Sequence, residues 1–178
     1  MSDVPKSYGR LAARPTFTPR ELVKDSPELA RAWTARIITL FPGAFPGVLG
    51  ESLTGKALAQ GIWQLQTFDL REFGIGKHRN VDDTPAGGGA GMVLRPEPLF
   101  AAVEALRGPK TRVVLMTPQG RPFKQAVARE LAAQEHLLIL CGHYEGVDQR
   151  VVEALVDDEI SIGDYILTNG ALASAVLC

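Results

Sequence analysis

Three short segments of the chain combine glycine with polar side chains, and each follows an apolar run. They span residues 117–120, 142–146 and 162–170. Glycine lets a backbone approach a ligand closely, so such loops offer amide N–H and carbonyl groups that suit an adenine edge and ribose hydroxyls. Any one of them is typical of an ordinary turn between a strand and a helix. If all three lie at one edge of the same sheet, a ligand pocket becomes the better interpretation.

A run of glycines at 87–91 follows a pair of carboxylates, Asp82 and Asp83. No Lys-Ser or Lys-Thr pair follows the glycines, so the run is not the phosphate loop of an NTPase. No strand pattern leads into it, which excludes the dinucleotide-binding fingerprint. The carboxylates would repel a bare phosphate and suit donors such as the N1–H and amino group of guanine, or an ammonium. That each carboxylate merely caps its own loop is an equally good interpretation of either one alone.

Metal and hydrolase chemistry have little support in the sequence. Cys141 and His143 would be two metal ligands without a second pair, which is far from a structural zinc site. Cys141 also ends an apolar run, where a small buried side chain is expected. No serine stands on a glycine elbow of the kind that hydrolases use. We therefore predict no metal ligand in this chain.

Composition is that of an ordinary globular protein. The 178 residues are 46% hydrophobic and 22% charged, with a formal net charge of −1, which argues against a globally basic nucleic-acid binder but allows a local basic patch. Cys141 and Cys178 are the only cysteines, so a disulfide framework is not expected and a cytoplasmic location is. No apolar run is long enough to span a membrane, and residues 1–20 lack the apolar core of a secretory signal.

Alternating strand and helix patterns predict the framework that must position these loops. Short apolar runs predict buried strands at 37–41, 63–70, 111–117 and 136–141, with a short extended piece at 159–161. Helical spacing predicts helices at 47–60, 96–106, 123–133, 147–155 and 170–177. Residues 71–92 are the longest irregular stretch, which indicates function or disorder. The predicted fold is therefore α/β, a parallel sheet flanked by helices, with the three loops at the carboxyl ends of its strands.

The first 35 residues differ from the rest in the spacing of their prolines. Pro5, Pro15, Pro19 and Pro27 interrupt any long element there. We predict an N-terminal extension over 1–35, at least partly mobile, and a single domain over 36–178. The alternative is that residues 28–33 belong to an integral first helix of the domain.

Four motifs, in this order, resemble the bacterial tRNA (guanine-N1)-methyltransferase family of the SPOUT superfamily. They are VDDTPAGGGAGM at 81–92, TPQG at 117–120, CGHYEGVDQR at 141–150 and EISIGDYILT at 159–168. The segment IITLFP at 37–42 also resembles the opening strand and turn of that family. The resemblance runs from about Arg36 to the end of the chain.

The resemblance implies a fold, a cofactor and a reaction that composition could not show. The α/β domain would carry a deep C-terminal trefoil knot, whose loops hold S-adenosylmethionine as the methyl donor. The active unit would be a homodimer with each active site at the subunit interface. The substrate would be tRNA, methylated at N1 of the guanosine just 3′ of the anticodon. Magnesium dependence is also implied, although no ligand cluster for it is visible in the sequence.

Site residues follow from the resemblance by matching motif to motif. On the substrate side the match implies guanosine or RNA contacts for Asp82, Asp83, Glu145 and Arg150, with an ion pair favoured over a phosphate contact for Arg150. The implied cofactor pocket is made largely of backbone groups. Its residues are Thr117, Pro118, Gly142, Tyr144, Gly146, Ile162, Gly163, Asp164, Tyr165, Ile166, Leu167 and Gly170.

The chain departs from the family pattern in a few places. Ala86 replaces the aromatic residue usual before the triple glycine, which removes a stacking contact. Asn169, Gly170 and Ala171 stand where the family has Gly-Gly-Glu, and asparagine tolerates a positive φ better than most residues do. We interpret these changes as variation between lineages.

The resemblance places other functional segments outside these 178 residues. In the family, the last helix continues to a conserved arginine, a linker supplies the aspartate proposed as general base, and a small helical domain grips the tRNA. The expectation is therefore that this chain binds the cofactor but lacks the base, so that alone it is inactive or very weak.

Two alternatives stay open at this point. The chain could be a non-catalytic domain of the same fold that binds RNA or a nucleotide. It could also belong to another SPOUT methyltransferase that acts on rRNA or on a ribose 2′-OH. The 82–92 loop argues against the second alternative, because it belongs to the guanine-N1 pattern and not to the superfamily at large.

Overall fold

The predicted apolar runs form a five-stranded sheet in the computed structural model, which describes residues 32–85 and 87–178. Its strands are β1 (Trp33–Thr39), β2 (Trp63–Asp69), β5 (Thr111–Pro122), β6 (His136–Cys141) and β7 (Asp158–Ser161). They lie in the order β2-β1-β6-β5-β7, and every neighbouring pair is parallel. Parallel pairing brings all carboxyl ends to one edge, so the predicted α/β class and the parallel sheet are confirmed.

Helices cover both faces of the sheet, as the βαβ pattern requires. They are α1 (Ser52–Ala59), α2 (Pro96–Leu106), α3 (Gln125–Ala132), α4 (Gln149–Leu155) and α5 (Ala171–Leu177). Alternate strand residues face opposite ways, so β6 divides between two cores. Leu138 and Leu140 pack in the core that holds α2 and α4, whereas Leu137 and Ile139 pack in the core that holds α3 and α5. Burial on both faces explains why these strands are continuous apolar runs.

A two-stranded ribbon accounts for much of the predicted irregular stretch. β3 (Asp82–Asp83) pairs antiparallel with β4 (Val93–Leu94), and the glycine run forms the tip between them. A 3-10 helix at Leu70–Phe73 and a tight hairpin between Ile75 and Asn80 precede the ribbon. The stretch is therefore structured by turns and short pairings, which leave little periodic signal in a sequence.

Two predicted boundaries differ from the structure. β1 begins at Trp33, so the sheet starts inside the predicted 1–35 extension, and Trp33 is extended rather than helical. Residues 1–31, with the rest of the alternative helix, lie outside the described residues. The single helix predicted at 47–60 is wrong in its continuity: a 3-10 helix at Gly47–Gly50 is separated from α1 by the extended residue Glu51. Gly47, Gly50 and Ser52, with Ser52 at φ 52°, favour turns over a continuous helix.

Charged side chains at the amino ends of β5 and β7, joined by Arg121 from near the carboxyl end of β5, form an ion-pair network. Asp158, whose side chain is 8% exposed, accepts from Arg112 at 2.9 Å and from the Arg121 Nε at 2.8 Å. Both arginines also reach Glu130 on α3, at 2.9 and 3.0 Å. The neighbouring pairs are Arg107–Asp157 and Lys110–Glu135. This network, called the amino-end network below, ties α3 to the sheet edge.

Within the described part of the chain, no helix is both long enough and apolar enough to cross a membrane. The trefoil knot stays a prediction.

Candidate functional site

A cavity of about 380 Å³ lies at the carboxyl ends of β5, β6 and β7. All three glycine-bearing loops predicted from the sequence contribute to its wall. Eleven of the twelve residues matched to the cofactor pocket line it; Asp164 does not. The remaining wall comes mainly from strand ends and from α4. The parallel sheet thus brings together segments that lie up to about fifty residues apart in the chain.

The first wall of the cavity is a loop that leaves the β5–β7 ladder. Met116 and Arg121 both pair with Ile160, so residues 117–120 bulge out between them. The predicted turn at 118–120 is therefore present although β5 continues beyond it. A Cβ on Gly120 would lie 2.4 Å from the backbone nitrogen of Ile160. Only glycine lets the loop close this tightly against β7.

The second and third walls are held together by a close backbone contact. The Gly170 amide donates to the Gly142 carbonyl at 2.8 Å. A Cβ on Gly170 would lie 2.8 Å from Cys141 Cα and 2.9 Å from the Gly142 nitrogen, so no side chain fits. The Ser174 hydroxyl donates to the Gly170 carbonyl at 2.8 Å and fixes the start of α5 below the loop. The position of α5 and the shape of the cavity therefore depend on the same glycine.

Tyr144 has a strained backbone at the cavity rim. Its φ is 58°, a left-handed conformation that bulky side chains rarely adopt. The ring of His143 packs against it with centroids 4.2 Å apart, and the His143 Nδ1 lies 3.1 Å from the Thr168 carbonyl oxygen. His143 therefore links the second loop to the third. Sequence reasoning considered His143 only as a weak metal ligand and missed this role, because the contact joins residues 25 positions apart.

Glu145 meets the glycine run that the sequence matched to guanosine. The Glu145 amide donates to the Met92 carbonyl at 2.9 Å, and the Leu94 amide donates to the Gly146 carbonyl at 3.1 Å. A Cβ on Gly91, whose φ is 92°, would lie 2.5 Å from Glu145 Cγ. Gly91 therefore makes room for the glutamate side chain. Residue 86, where the aromatic was expected to be missing, lies outside the described residues.

The two aspartates of the ribbon have different surroundings. Asp82 lies near the Tyr144 hydroxyl; burial raises the pKa of that phenol, and the neighbouring Asp82 carboxylate raises it further. Asp83 caps the Thr84 amide at 2.8 Å and lies 3.2 Å from the Arg95 guanidinium. The capping interpretation thus describes Asp83, while Asp82 is joined to the cavity rim.

Arg150 makes the ion pair that its sequence position favoured. Its guanidinium forms two hydrogen bonds with Asp148, at 2.8 and 2.7 Å, while 71% of the Arg150 side chain remains exposed. The same Asp148 caps α4 by accepting from the Arg150 amide at 3.0 Å. These contacts hold the pKa of Asp148 below its usual range. Arg150 does not line the cavity, and a phosphate contact for it stays a prediction.

The charge of the cavity wall is acidic. Two carboxylates, Glu145 and Glu159, are among the described residues that line it, and none of those residues is a lysine or an arginine. Such a wall favours a cationic ligand over one that carries phosphates. In the described residues, no group of three or more His, Cys, Asp or Glu side chains could hold a metal ion. The chemistry open to the site is therefore binding through backbone groups and carboxylates.

Cys141 lies under the cavity floor as a buried small side chain. It is 8% exposed, and its sulfur is 3.1 Å from the Ser174 hydroxyl. Burial raises the pKa of the Cys141 thiol to about 11, so it carries no thiolate near neutral pH. The sequence interpretation of Cys141 as packing rather than chemistry agrees with this environment.

Comparisons with known proteins point to one family. Residues 34–178 match the family described as tRNA (Guanine-1)-methyltransferase TrmD. The chain is 58% identical over 155 residues to a tRNA (guanine-N(1)-)-methyltransferase of Ruegeria pomeroyi, covering 85% of this chain and 64% of that protein. Proteins of the same description from Roseobacter denitrificans and Brevibacillus brevis are 58% and 57% identical, over 83% and 79% of this chain. The matches span 62% and 58% of those two proteins, so the chain covers less than two thirds of each relative.

Proposed function

The chain belongs to the tRNA (guanine-1)-methyltransferase family, and from that premise we propose that it forms the S-adenosylmethionine-binding part of an enzyme that methylates tRNA. The acceptor would be N1 of the guanosine just 3′ of the anticodon. The observation that carries the proposal is the acidic cavity built from three glycine-bearing loops at one edge of the sheet. Its volume, about 380 Å³, falls within the usual range for small-molecule pockets.

The donors and charges of the cavity suit this cofactor. Backbone N–H and C=O groups of the three loops can meet the adenine edge and the ribose hydroxyls. Glu145 and Glu159 can offset the positive charge of an ammonium or a sulfonium, and the described lining has no lysine or arginine to hold a phosphate. When bound, the cofactor supplies a methyl group on a sulfonium, whose leaving group is neutral.

The acceptor requires more of the protein than the donor does. Guanine N1 carries a proton and is a poor nucleophile until that proton leaves, so the site must orient N1 and provide a base. Glu145 and Asp82 are the carboxylates placed to accept hydrogen bonds from guanine, because the glycine run brings the ribbon against Glu145 and the Tyr144 hydroxyl links Asp82 to the rim. Asp83 is a weaker candidate, since Arg95 and Thr84 already occupy it.

We place the general base and the cation that would stabilise the guanine O6 outside these 178 residues, following the family resemblance.

A second copy of the chain is the partner we propose for the cavity rim. Exposed apolar side chains lie on the third loop and on α5, with Ile166 87% exposed and Leu172 66% exposed. A homodimer would cover them and place each site at the interface. We further propose a cytoplasmic location and, from the family alone, magnesium dependence.

Calorimetry with S-adenosylmethionine and with its demethylated product tests the cofactor half of this proposal. We expect one site per chain for each ligand; a folded chain that binds neither contradicts it. Turnover on tRNA tests the other half, and we expect little or none from the 178 residues. Methylation at the rate of a version extended through the family's downstream segments would show that the base lies within this chain.

A further inference from the structure

A short basic hairpin stands beside the guanosine-facing ribbon, and neither the motifs nor the cavity account for it. The hairpin spans residues 75–80 and is closed by two backbone hydrogen bonds between Ile75 and Asn80, at 2.9 and 3.0 Å. Its tip presents Lys77, His78 and Arg79 in succession, all exposed. A Cβ on Gly74 would lie 2.3 Å from the Arg79 carbonyl oxygen, so the backbone of the hairpin is tightly packed at its base.

Among the described residues, Lys77 and Arg79 differ from most arginines in having no ion-pair partner. Six arginines in the described residues lie within 3.5 Å of a carboxylate oxygen: Arg71, Arg95, Arg107, Arg112, Arg121 and Arg150. Lys77 and Arg79 form no ion pair with any described residue. Their charge is thus available to an external anion, and exposed cations that hold no internal partner are the groups that contact nucleic-acid phosphates.

The position of the hairpin relates it to the proposed RNA target. Asn80 precedes Asp82 by two residues, which places the hairpin base within roughly 7 Å of chain length from that carboxylate. Asp82 in turn contacts Tyr144 at the cavity rim. A guanosine whose base reaches Glu145 and Asp82 at the rim of the cofactor cavity leaves its own and neighbouring phosphates outside. Along the chain, the basic hairpin leads directly into the ribbon that carries Asp82.

We propose that Lys77 and Arg79 bind the phosphate backbone of the anticodon loop next to the target guanosine. This rests on the proposed function, since it assumes that the cavity and ribbon receive that nucleotide. The contact adds affinity and positioning without reading sequence, because it involves phosphates and not base edges. The balanced net charge of the chain is then compatible with RNA binding through one local patch.

The double variant Lys77→Gln with Arg79→Gln tests this proposal on the 178-residue chain. The probe is a synthetic tRNA anticodon stem-loop, with binding followed by fluorescence anisotropy at several salt concentrations. Loss of two phosphate contacts should weaken binding roughly 10- to 30-fold at about 0.1 M salt and reduce the salt slope by about 1.4, at about 0.7 per phosphate of single strand. Calorimetric affinity for S-adenosylmethionine should not change.

Lys124→Gln with Arg129→Gln is the matched control, because it removes one exposed lysine at the N-cap of α3 and one exposed arginine within α3, more than forty residues along the chain from Asp82 and Asp83. It should leave RNA affinity within about twofold of the parent chain. An equal loss in both double variants, or none in the hairpin variant, overturns the proposal. So does a parent chain that binds S-adenosylmethionine but not the stem-loop at low salt.

Sedimentation of the same variants separates RNA from a protein partner. If the hairpin substitutions change self-association and leave RNA affinity unaltered, the hairpin faces a second copy of the chain and the RNA assignment is wrong. Failure of the cofactor proposal has a different signature, namely absent S-adenosylmethionine binding in all three proteins.

Discussion

The two ends of the central sheet differ in how many of their charged side chains form ion pairs within the fold. At the amino ends of β5 and β7, charged side chains are paired, and Asp158 is buried between Arg112 and Arg121, the second of which follows the 117–120 loop. At the carboxyl ends, the described cavity wall consists of glycine loops, backbone groups and two carboxylates that form no ion pair with described residues. At the amino end most charged side chains are paired within the fold, whereas the two carboxylates of the cavity wall have no ion-pair partner among the described residues.

The volumes of the two hollows do not distinguish the proposed site. An open hollow of about 540 Å³ lies beside the amino-end network, which exceeds the 380 Å³ of the carboxyl-end cavity. Its charged lining residues, Arg107, Lys110, Arg112, Glu135 and Asp157, already pair within the chain. A ligand there would have to compete with these pairs, whereas the carboxyl-end cavity offers unpaired groups. We therefore assign the ligand to the carboxyl-end cavity because its carboxylates lack ion-pair partners among the described residues, and not because of its volume.

Substitution of Gly170 should break the carboxyl end most severely. In Gly170→Ala the new Cβ meets the backbone of Cys141 and Gly142, which overpacks the junction of two loops and costs about 2–3 kcal/mol of unfolding free energy. If the same distortion weakens cofactor binding by more than about 1.4 kcal/mol, the affinity falls more than about tenfold. Urea unfolding and calorimetry measure both effects. Gly43→Ala is the control, because nothing lies within 4 Å of a Cβ there; a similar loss in Gly43→Ala would contradict the close-contact argument.

Substitution of Asp158 should weaken the amino end and spare the cavity. Asp158→Ala leaves Arg112 and Arg121 without their shared carboxylate, but their side chains are 25% and 40% exposed, so water compensates in part. We expect a loss of about 1–2 kcal/mol, below the cost of breaking a fully buried pair. Cofactor affinity should change by less than about threefold.

Lys110→Gln is the control for Asp158→Ala. It breaks an ion pair whose members are 69% and 57% exposed, so stability should change by no more than about 0.5 kcal/mol. If Asp158→Ala abolished cofactor binding while the protein stayed folded, the proposed division between the two ends would be wrong.

Gly91→Ala should affect RNA binding and cofactor binding at the carboxyl end to different extents. Alanine at a φ of 92° is strained, and its Cβ would displace the Glu145 side chain, for a cost of about 1 kcal/mol. We expect weaker binding of the anticodon stem-loop and nearly unchanged binding of S-adenosylmethionine, because Gly91 does not line the cavity. Equal losses for both ligands would show that the glycine run shapes the cofactor pocket as well.

The smallest predicted effect is a pH dependence of the free energy of unfolding that arises from Asp148 at the start of α4. Because Arg150 lowers the pKa of Asp148 in the folded state, this carboxylate stabilises the fold above its unfolded pKa of about 4. The contribution is lost as the pH falls through the folded pKa. Asp148→Asn keeps a good helix cap and removes the charge. The difference in unfolding free energy between parent and variant should be a few tenths of a kcal/mol near neutrality and vanish at acid pH. A difference that grows on acidification would refute the assigned sign.

Local patterns in the sequence predicted the strands and the loops that form the cavity. Buried strands such as β6 read as apolar runs because both of their faces are covered, and the loops follow where those runs stop. Parallel pairing then places the loops at one edge without further information. These patterns predict the loops but not the individual residues, which were taken from the family resemblance; eleven of those twelve line the cavity and Asp164 does not.

The remaining features depend on contacts between distant residues. Asp158 meets residues 46 and 37 positions away, and Glu145 meets a glycine run more than fifty positions earlier. No periodicity encodes such pairs, so the amino-end network could not be predicted from local patterns. The left-handed backbone of Tyr144 was equally invisible, because tyrosine is among the residues least expected to adopt it. The sequence also could not show that Lys77 and Arg79 form no ion pair with a described residue, because ion pairs depend on where the carboxylates lie in space.

Backbone amide chemical shifts, followed while S-adenosylmethionine is titrated into the isotope-labelled chain, test the central claim most directly. We expect saturable changes in the amide chemical shifts of residues 117–120, 142–146 and 162–170. The shifts of residues 107–112 and 133–135, around the amino-end hollow, should stay the same. Shifts confined to the amino-end hollow, or none at all in a folded chain, would contradict it.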